Sequence, residues 1–243
     1  MGKFKITLIS DTHTKHKSIK SFLDGGDLLI HAGDFMNSGW DAMESSQFLH
    51  WFDSIEGYDT KIFIAGNHDR FVQNSPKGFQ DMLNMYKTIE YLQDEELVLY
   101  NDGPNGDHPE DNIRIYGSPW QPEFYNWAFN LPRNGVELKG KWDLIPSNTD
   151  ILITHSPPQT YLDTSGPPHN EPNLGCELLK ERVELIKPKI HIFGHIHGGY
   201  GYKYNGDTHF INASILDERY NFVNKPLNII WDSETNEIEF LNN

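Results

Sequence analysis

The feature that most constrains this chain is a repeated one. A short apolar run, rich in β-branched residues, stops abruptly at a polar cluster. Ile62-Phe63-Ile64-Ala65 leads into Gly66-Asn67-His68-Asp69. Residues 4–10 lead into Asp11-Thr12-His13, and residues 27–32 into Gly33-Asp34. Residues 150–154 lead into His155, and residues 189–193 into Gly194-His195-Ile196-His197. Each run reads as a buried strand that delivers polar groups at its carboxyl end. In open α/β sheets, ligands bind in the crevice outside those ends.

Between the runs, apolar residues recur at helical spacing. Phe48, Trp51, Phe52 and Ile55 predict a helix over residues 42–55, and Leu178, Leu179, Val183 and Ile186 predict one over 176–186, stopped by Pro188. Shorter helices are expected over 19–23 and 79–86. Further strands are expected over 97–100, 113–117, 208–212, 227–231 and 237–240. Strand and helix alternate through the first third, which implies a parallel sheet with crossover helices. Residues 101–112 and 163–175 are dominated by Asn, Asp, Gly and Pro and read as loops. No repeat, low-complexity tract or linker divides the chain, so one domain is expected over residues 1–243.

Composition narrows the partners. A net charge of −15 excludes a duplex DNA backbone and an anionic membrane surface as partners. It leaves room for a small phosphorylated substrate, because bound cations reverse the sign of the potential locally. Cys176 is the single cysteine, so no intramolecular disulfide forms, which fits a reducing compartment. No run approaches a membrane span, and a strand beginning at residue 4 leaves no room for a signal peptide. The expected location is therefore cytoplasmic.

The donors at the strand ends are all oxygen or nitrogen. With no thiolate among them they are not zinc-finger ligands, and mixed His/Asp/Asn ligation suits a hydrolytic metal centre. There are too many for one four-coordinate ion, and one carboxylate can bridge a pair. Two divalent cations about 3.5–4 Å apart would clamp a phosphate and generate hydroxide at neutral pH. Only Asp11 and Asp34 are anionic, so such a cluster stays positive.

The order Asp-x-His, Gly-Asp, Gly-Asn-His-Asp, a lone His, then Gly-His-x-His resembles the calcineurin-like metallophosphoesterases. Tyr116-Gly117-Ser118-Pro119-Trp120-Gln121-Pro122 and the run from His191 to Gly201 resemble the metallophosphoesterase-domain-containing subfamily. The resemblance implies a four-layer α/β/β/α sandwich, two mixed sheets flanked by helices. It implies that Asp11, His13 and His197 bind one metal, that Asn67, His155 and His195 bind a second, and that Asp34 bridges them. His68 would face the phosphate and protonate the leaving oxygen, with Asp69 orienting it. The implied cofactors are two divalent ions, Mn, Fe or Zn, with Mn favoured. The implied reaction is hydrolysis of phosphodiesters of small nucleotides, cyclic nucleotides among them. The alternatives are a phosphomonoesterase or nucleotidase, and an inactive metal-binding scaffold.

Other residues carry plainer expectations. His31 and His191 read as packed sheet residues. The aromatic loop from Trp120 to Trp127 reads as core, or else as a wall that stacks a flat group. His169 reads as exposed, and Asp94-Glu95-Glu96 as a solvated turn.

Overall fold

The computed structural model describes residues 2–100 and 112–241. Most of the loop expected over 101–112 therefore lies outside the described residues. In chain order the strands are β1 (Lys3–Ile9), β2 (Gly26–His31), β3 (Tyr58–Phe63), β4 (Ile89–Tyr91), β5 (Glu95–Leu99), β6 (Ile113–Ser118), β7 (Gln121–Pro122), β8 (Asn130–Leu131), β9 (Ile151–Thr154), β10 (Ile190–Phe193), β11 (Gly201–Tyr204), β12 (His209–Asn212), β13 (Leu227–Asp232) and β14 (Glu237–Phe240). The helices are α1 (Ala42–Asp53), α2 (Arg70–Asn74), α3 (Pro76–Leu83), α4 (Val136–Asp143) and α5 (Glu177–Ile186).

The strands form two mixed sheets. One has the order β14-β13-β1-β2-β3-β4, the other β11-β12-β10-β9-β6-β5. In the first, β1 to β4 run parallel and β13 returns antiparallel beside β1, with Ile6 opposite Ile229. In the second, β6, β9, β10 and β12 run parallel and β5 and β11 close the edges antiparallel.

Side-chain alternation explains the layering, because successive residues of a strand face opposite sides. Ile6, Leu8, Ile30 and Ile62 of the first sheet pack on Ile115, Ile151, Ile153 and Ile192 of the second. The outward residues of the first sheet, Leu29 and Phe63, bury Phe48, Phe52 and Phe79 of α1 and α3. Those of the second, Leu152, Phe193 and Phe210, bury Leu138, Trp142, Leu179 and Val183 of α4 and α5. The result is the expected α/β/β/α sandwich.

Boundaries shift where local chemistry overrides periodicity. The helix expected over 79–86 starts earlier, at Pro76, because proline suits the first helical turn, where its missing N–H is not needed. The segment expected as a helix over 19–23 is a 3₁₀ helix, His16–Phe22. The α1 helix ends at Asp53, and the buried Lys61 ammonium caps it by donating to the Asp53 and Ile55 carbonyls. Among the described residues, no helix is long and apolar enough to cross a membrane.

Candidate metal centre

The carboxyl ends of β1, β2, β3, β9 and β10 meet at one edge of the sandwich. There the backbone turns sharply, with Asp11, Asp34 and His195 all left-handed at φ 55°, 57° and 64°. Such conformations disfavour residues with a Cβ by roughly 1–2 kcal/mol each. Here they fold the polar side chains back over the strand ends. The glycines permit close approach. A Cβ on Gly194 would lie 2.1 Å from Asp11 Oδ2, and one on Gly66 would lie 2.4 Å from Asp34 Oδ1.

The donors converge as three overlapping triads: Asp11, His13 and His197; His13, Asp34 and His68; Asp34, His155 and His195. Within each triad the ligand atoms lie within 4.8 Å of one another. Asp34 Oδ2 is 3.3 Å from His155 Nε2 and 3.7 Å from His13 Nε2. Asp11 Oδ1 is 3.4 Å from His197 Nε2. Asn67 Oδ1 is 3.0 Å from His155 Nε2. All seven residues expected as ligands are thus brought together, with Asp34 sharing neighbours on both sides.

The imidazoles are aimed by a common device. His13, His155 and His197 each place Nδ1 2.9–3.0 Å from a backbone carbonyl, of Met36, Ala32 and Asp217 respectively. Nδ1 therefore carries a proton, and Nε2 points inward, which is how metal-binding histidines are oriented. His13 Nε2 is buried with no hydrogen-bond partner. An orphaned, inward lone pair beside carboxylates is what a bound cation would satisfy.

The electrostatics agree with this. Burial opposes ionisation of Asp11 and Asp34, yet both carboxyls sit well below their ordinary range. The neighbouring imidazoles outweigh burial, His197 foremost at Asp11 and His155 at Asp34. Burial pulls His13 down to about 4 and His195 to about 3. Burial also opposes protonation of His155 and His197, but contact with Asp34 and Asp11 lifts each to about 9. Two anionic carboxylates that trap protons on adjacent imidazoles form a site that favours positive charge.

His68 and Asp69 part company despite their adjacency. His68 points Nδ1 at the Asn37 carbonyl, 2.5 Å away, and lays its ring on Trp127 at a centroid distance of 4.0 Å. Its backbone N–H donates to Asp34 Oδ1 at 2.7 Å. Asp69 does not orient His68, which corrects the sequence expectation. Its carboxylate accepts from the backbone N–H groups of Asp34, Met36 and Gly66 at 2.9, 2.8 and 2.6 Å. The turn after β3 carries Asp69 beneath the loops while it sends His68 into the cleft.

The cleft above the donors holds 490 Å³, and its walls include Phe124, Tyr125, Arg133, His169 and Tyr220. The aromatic loop divides between the two readings considered for it. Trp120 packs inward and donates to Asp94 at 2.8 Å, whereas Phe124 and Tyr125 are exposed on the cleft wall. Asp94 is no solvated turn residue, since Ser118, Trp120 and Lys141 all donate to it. His31 and His191 are buried, bound to the hydroxyls of Thr12 and Thr154. His169 is exposed. Sequence reasoning passed over Tyr220, Ser214 and the pairing of Trp127 with Arg70. No local pattern distinguishes them from ordinary loop residues.

Comparison with known proteins follows the same line. The family described as Calcineurin-like phosphoesterase matches residues 4–199. Human metallophosphoesterase domain-containing protein 1 is 38% identical over 247 residues, covering 93% of this chain and 70% of the human protein. A UPF0046 protein of Caenorhabditis elegans is 36% identical, covering 94% of this chain and 59% of its own. The crystal structure of TT1561 of Thermus thermophilus superposes with a TM-score of 0.64 at 13% identity, over 98% of both chains, which bears on fold alone. Together with the donor cluster, these matches identify the chain as a member of the calcineurin-like phosphoesterases, metal-dependent hydrolases of phosphoesters.

Proposed function

We propose that this chain hydrolyses phosphodiester bonds of small nucleotides, with two divalent ions as cofactors and manganese as the favoured metal. The observation that carries the reading is the seven-donor cluster on the floor of a cleft whose wall presents Phe124 and Tyr125. Asp11, His13 and His197 would hold one ion, Asn67, His155 and His195 the other, with Asp34 between them. When bound, the pair supplies Lewis-acid activation of water and neutralises phosphate charge. His68 supplies the proton for the leaving oxygen from Nε2, its Nδ1 being engaged by Asn37. Asp69 keeps the loops that carry Asp34 and Asn67 in register through its three backbone contacts. Phe124 and Tyr125 offer a face on which a base can stack.

The diester preference is supported by the one guanidinium that the described residues place on the cleft wall. Arg133 is already spent on Glu177 and on the carbonyls of Leu174 and Gly175, which leaves it poorly placed to clamp a dianionic terminal phosphate. Glu123, Glu171 and Glu218 share the lining and further disfavour a second negative charge.

The test is a manganese-supplemented panel of bis(4-nitrophenyl) phosphate, 4-nitrophenyl phosphate, cyclic AMP, cyclic GMP and 5′-nucleotides. The reading requires turnover of diesters in preference to monoesters, and metal content near two ions per chain. Monoester preference overturns the diester assignment. One tightly held ion overturns the pair, and no turnover across metals and pH leaves a metal-binding scaffold.

A further inference from the structure

The donors of the metal centre end at His197, but several groups that hold them come later. Ser214 Oγ donates to Asp11 Oδ2 at 2.8 Å. The Asp217 carbonyl accepts from His197 Nδ1 at 2.9 Å. Glu218 Oε1 accepts from the N–H groups of Gly166 and Gly198 at 2.9 and 3.1 Å. Tyr220 carries its hydroxyl to 3.5 Å from His68 Nε2. All four residues lie beyond residue 199, where the family match ends.

Of the four, Tyr220 alone brings a side-chain donor to the open space of the cleft beside His68. Its ring sits edge-on to His13, with centroids 4.7 Å apart, and 5.5 Å from His197. Its backbone is left-handed, at φ 61°. The Tyr220 N–H on the Asp217 carbonyl and the Lys15 ammonium on the Tyr220 carbonyl hold it there. Strained residues fixed by their surroundings concentrate at functional sites. At 3.5 Å the phenol is at the outer limit of a hydrogen bond to His68, so it is free to donate elsewhere. A phenol is a neutral donor at physiological pH. Two donors on neighbouring side chains, both facing one space, can hold two oxygens of one phosphoryl group.

We propose that Tyr220 is a further catalytic residue, whose hydroxyl donates a hydrogen bond to a non-bridging phosphoryl oxygen while His68 serves the leaving oxygen. The phosphorus bond to the attacking water oxygen forms and the bond to the leaving oxygen breaks, and the proton that the water sheds passes to solvent, from which His68 is reprotonated after turnover. The His68 proton goes to the departing alkoxide. Tyr220 keeps its proton throughout and stabilises the charge on the equatorial oxygens. The proposal rests on the phosphodiesterase reading of this site.

The test compares the manganese-loaded full chain with Tyr220→Phe, which keeps the ring against His13 and removes only the hydroxyl. Metal content is expected to be unchanged. Turnover of an alkyl aryl phosphodiester should fall at least about tenfold in kcat, as for loss of a donor to the phosphoryl oxygens. Calorimetric affinity for inorganic phosphate should fall severalfold. A Tyr220→Phe protein with wild-type kcat and phosphate affinity overturns the proposal. A wild-type protein that binds phosphate but turns over no diester overturns the phosphodiesterase reading instead, and the phosphate comparison still decides the contribution of Tyr220.

Discussion

Asp69 follows His68 in the chain, yet its carboxylate serves the backbone and not the imidazole. Burial and the charge of Asp34 push its pKa well up, while the Met36 and Gly66 N–H groups pull against them. The carboxylate is an acceptor-only group facing three N–H donors, and an amide in its place turns an NH2 donor towards at least one of them. Asp69→Asn is expected to lower the unfolding free energy by about 3 kcal/mol and to reduce bound metal, because Asp34 and Asn67 lose their anchor. Urea denaturation and elemental analysis check both. His68→Gln is expected to keep fold and metal and to lose about 10²–10⁴-fold turnover on substrates with poor leaving groups. An Asp69→Asn protein that matches His68→Gln in all three respects would restore the orienting function to Asp69. Gly194 is equally unforgiving. An added methyl at 2.1 Å from Asp11 Oδ2 has nowhere to go, so Gly194→Ala should empty the Asp11 side of the centre.

Strand ends, more than helices, were readable from the sequence. An apolar β-branched run that stops at a polar cluster fixes where its polar residues emerge, and the structure brings Asp11, Asp34, Asn67, His155, His195 and His197 together. What the pattern does not encode is direction after the strand stops. The left-handed turns at Asp11, Asp34 and His195 and the divergence of His68 from Asp69 depend on tertiary packing. Short elements escaped for a different reason. The α4 helix buries only Leu138 and Trp142, and β11 exposes nearly all of its residues at a sheet edge, so neither shows a period to detect. The strap between β7 and β8 shows the same dependence on context. Asp94 ties Trp120 and Lys141 to the base of the strap, and Asn130 Nδ2 donates to the Phe124 and Tyr125 carbonyls at 3.1 and 2.9 Å at its tip. Trp127, at the far end, is sandwiched between His68 and the Arg70 guanidinium, which lies 3.9 Å from its ring centroid. Trp127→Ala should therefore let His68 drift and cut kcat on alkyl leaving groups by about tenfold or more, since small misplacements of catalytic groups are expensive. Trp127→Phe should recover most of that loss. An alanine variant with normal kcat would show that the Asn37 carbonyl alone positions His68.

At the scale of the whole molecule, the two sheets converge on the centre from opposite sides, so metal binding couples them. Asp11, Asp34 and Asn67 come from the first sheet and His155, His195 and His197 from the second. A ligand that binds only the folded state stabilises it by about 2.7 kcal/mol at a hundred times its Kd. Chelation should accordingly lower Tm, and Asp34→Ala should lose most of the metal-dependent increment, because Asp34 contacts donors of both sheets. Acid acts on the molecule away from the metal. His191 is fully buried in the second sheet, with Nδ1 unpartnered and Nε2 on Thr154, and burial lowers its pKa from 6.5 to about 3. Between those values the unfolded chain binds a proton that the folded chain refuses. Stability therefore rises with pH across this window and falls on acidification, by about 1.4 kcal/mol per pH unit for this group. His191→Gln retains a donor for Thr154 and removes the titration. In chelator, to silence the metal ligands' dependence on bound ions, the wild type should lose about 2 kcal/mol more than His191→Gln between pH 7 and pH 5, measured by urea unfolding. Parallel losses in the two proteins would mean that His191 takes up its proton while folded, and that the outer face of the second sheet opens to water below neutral pH.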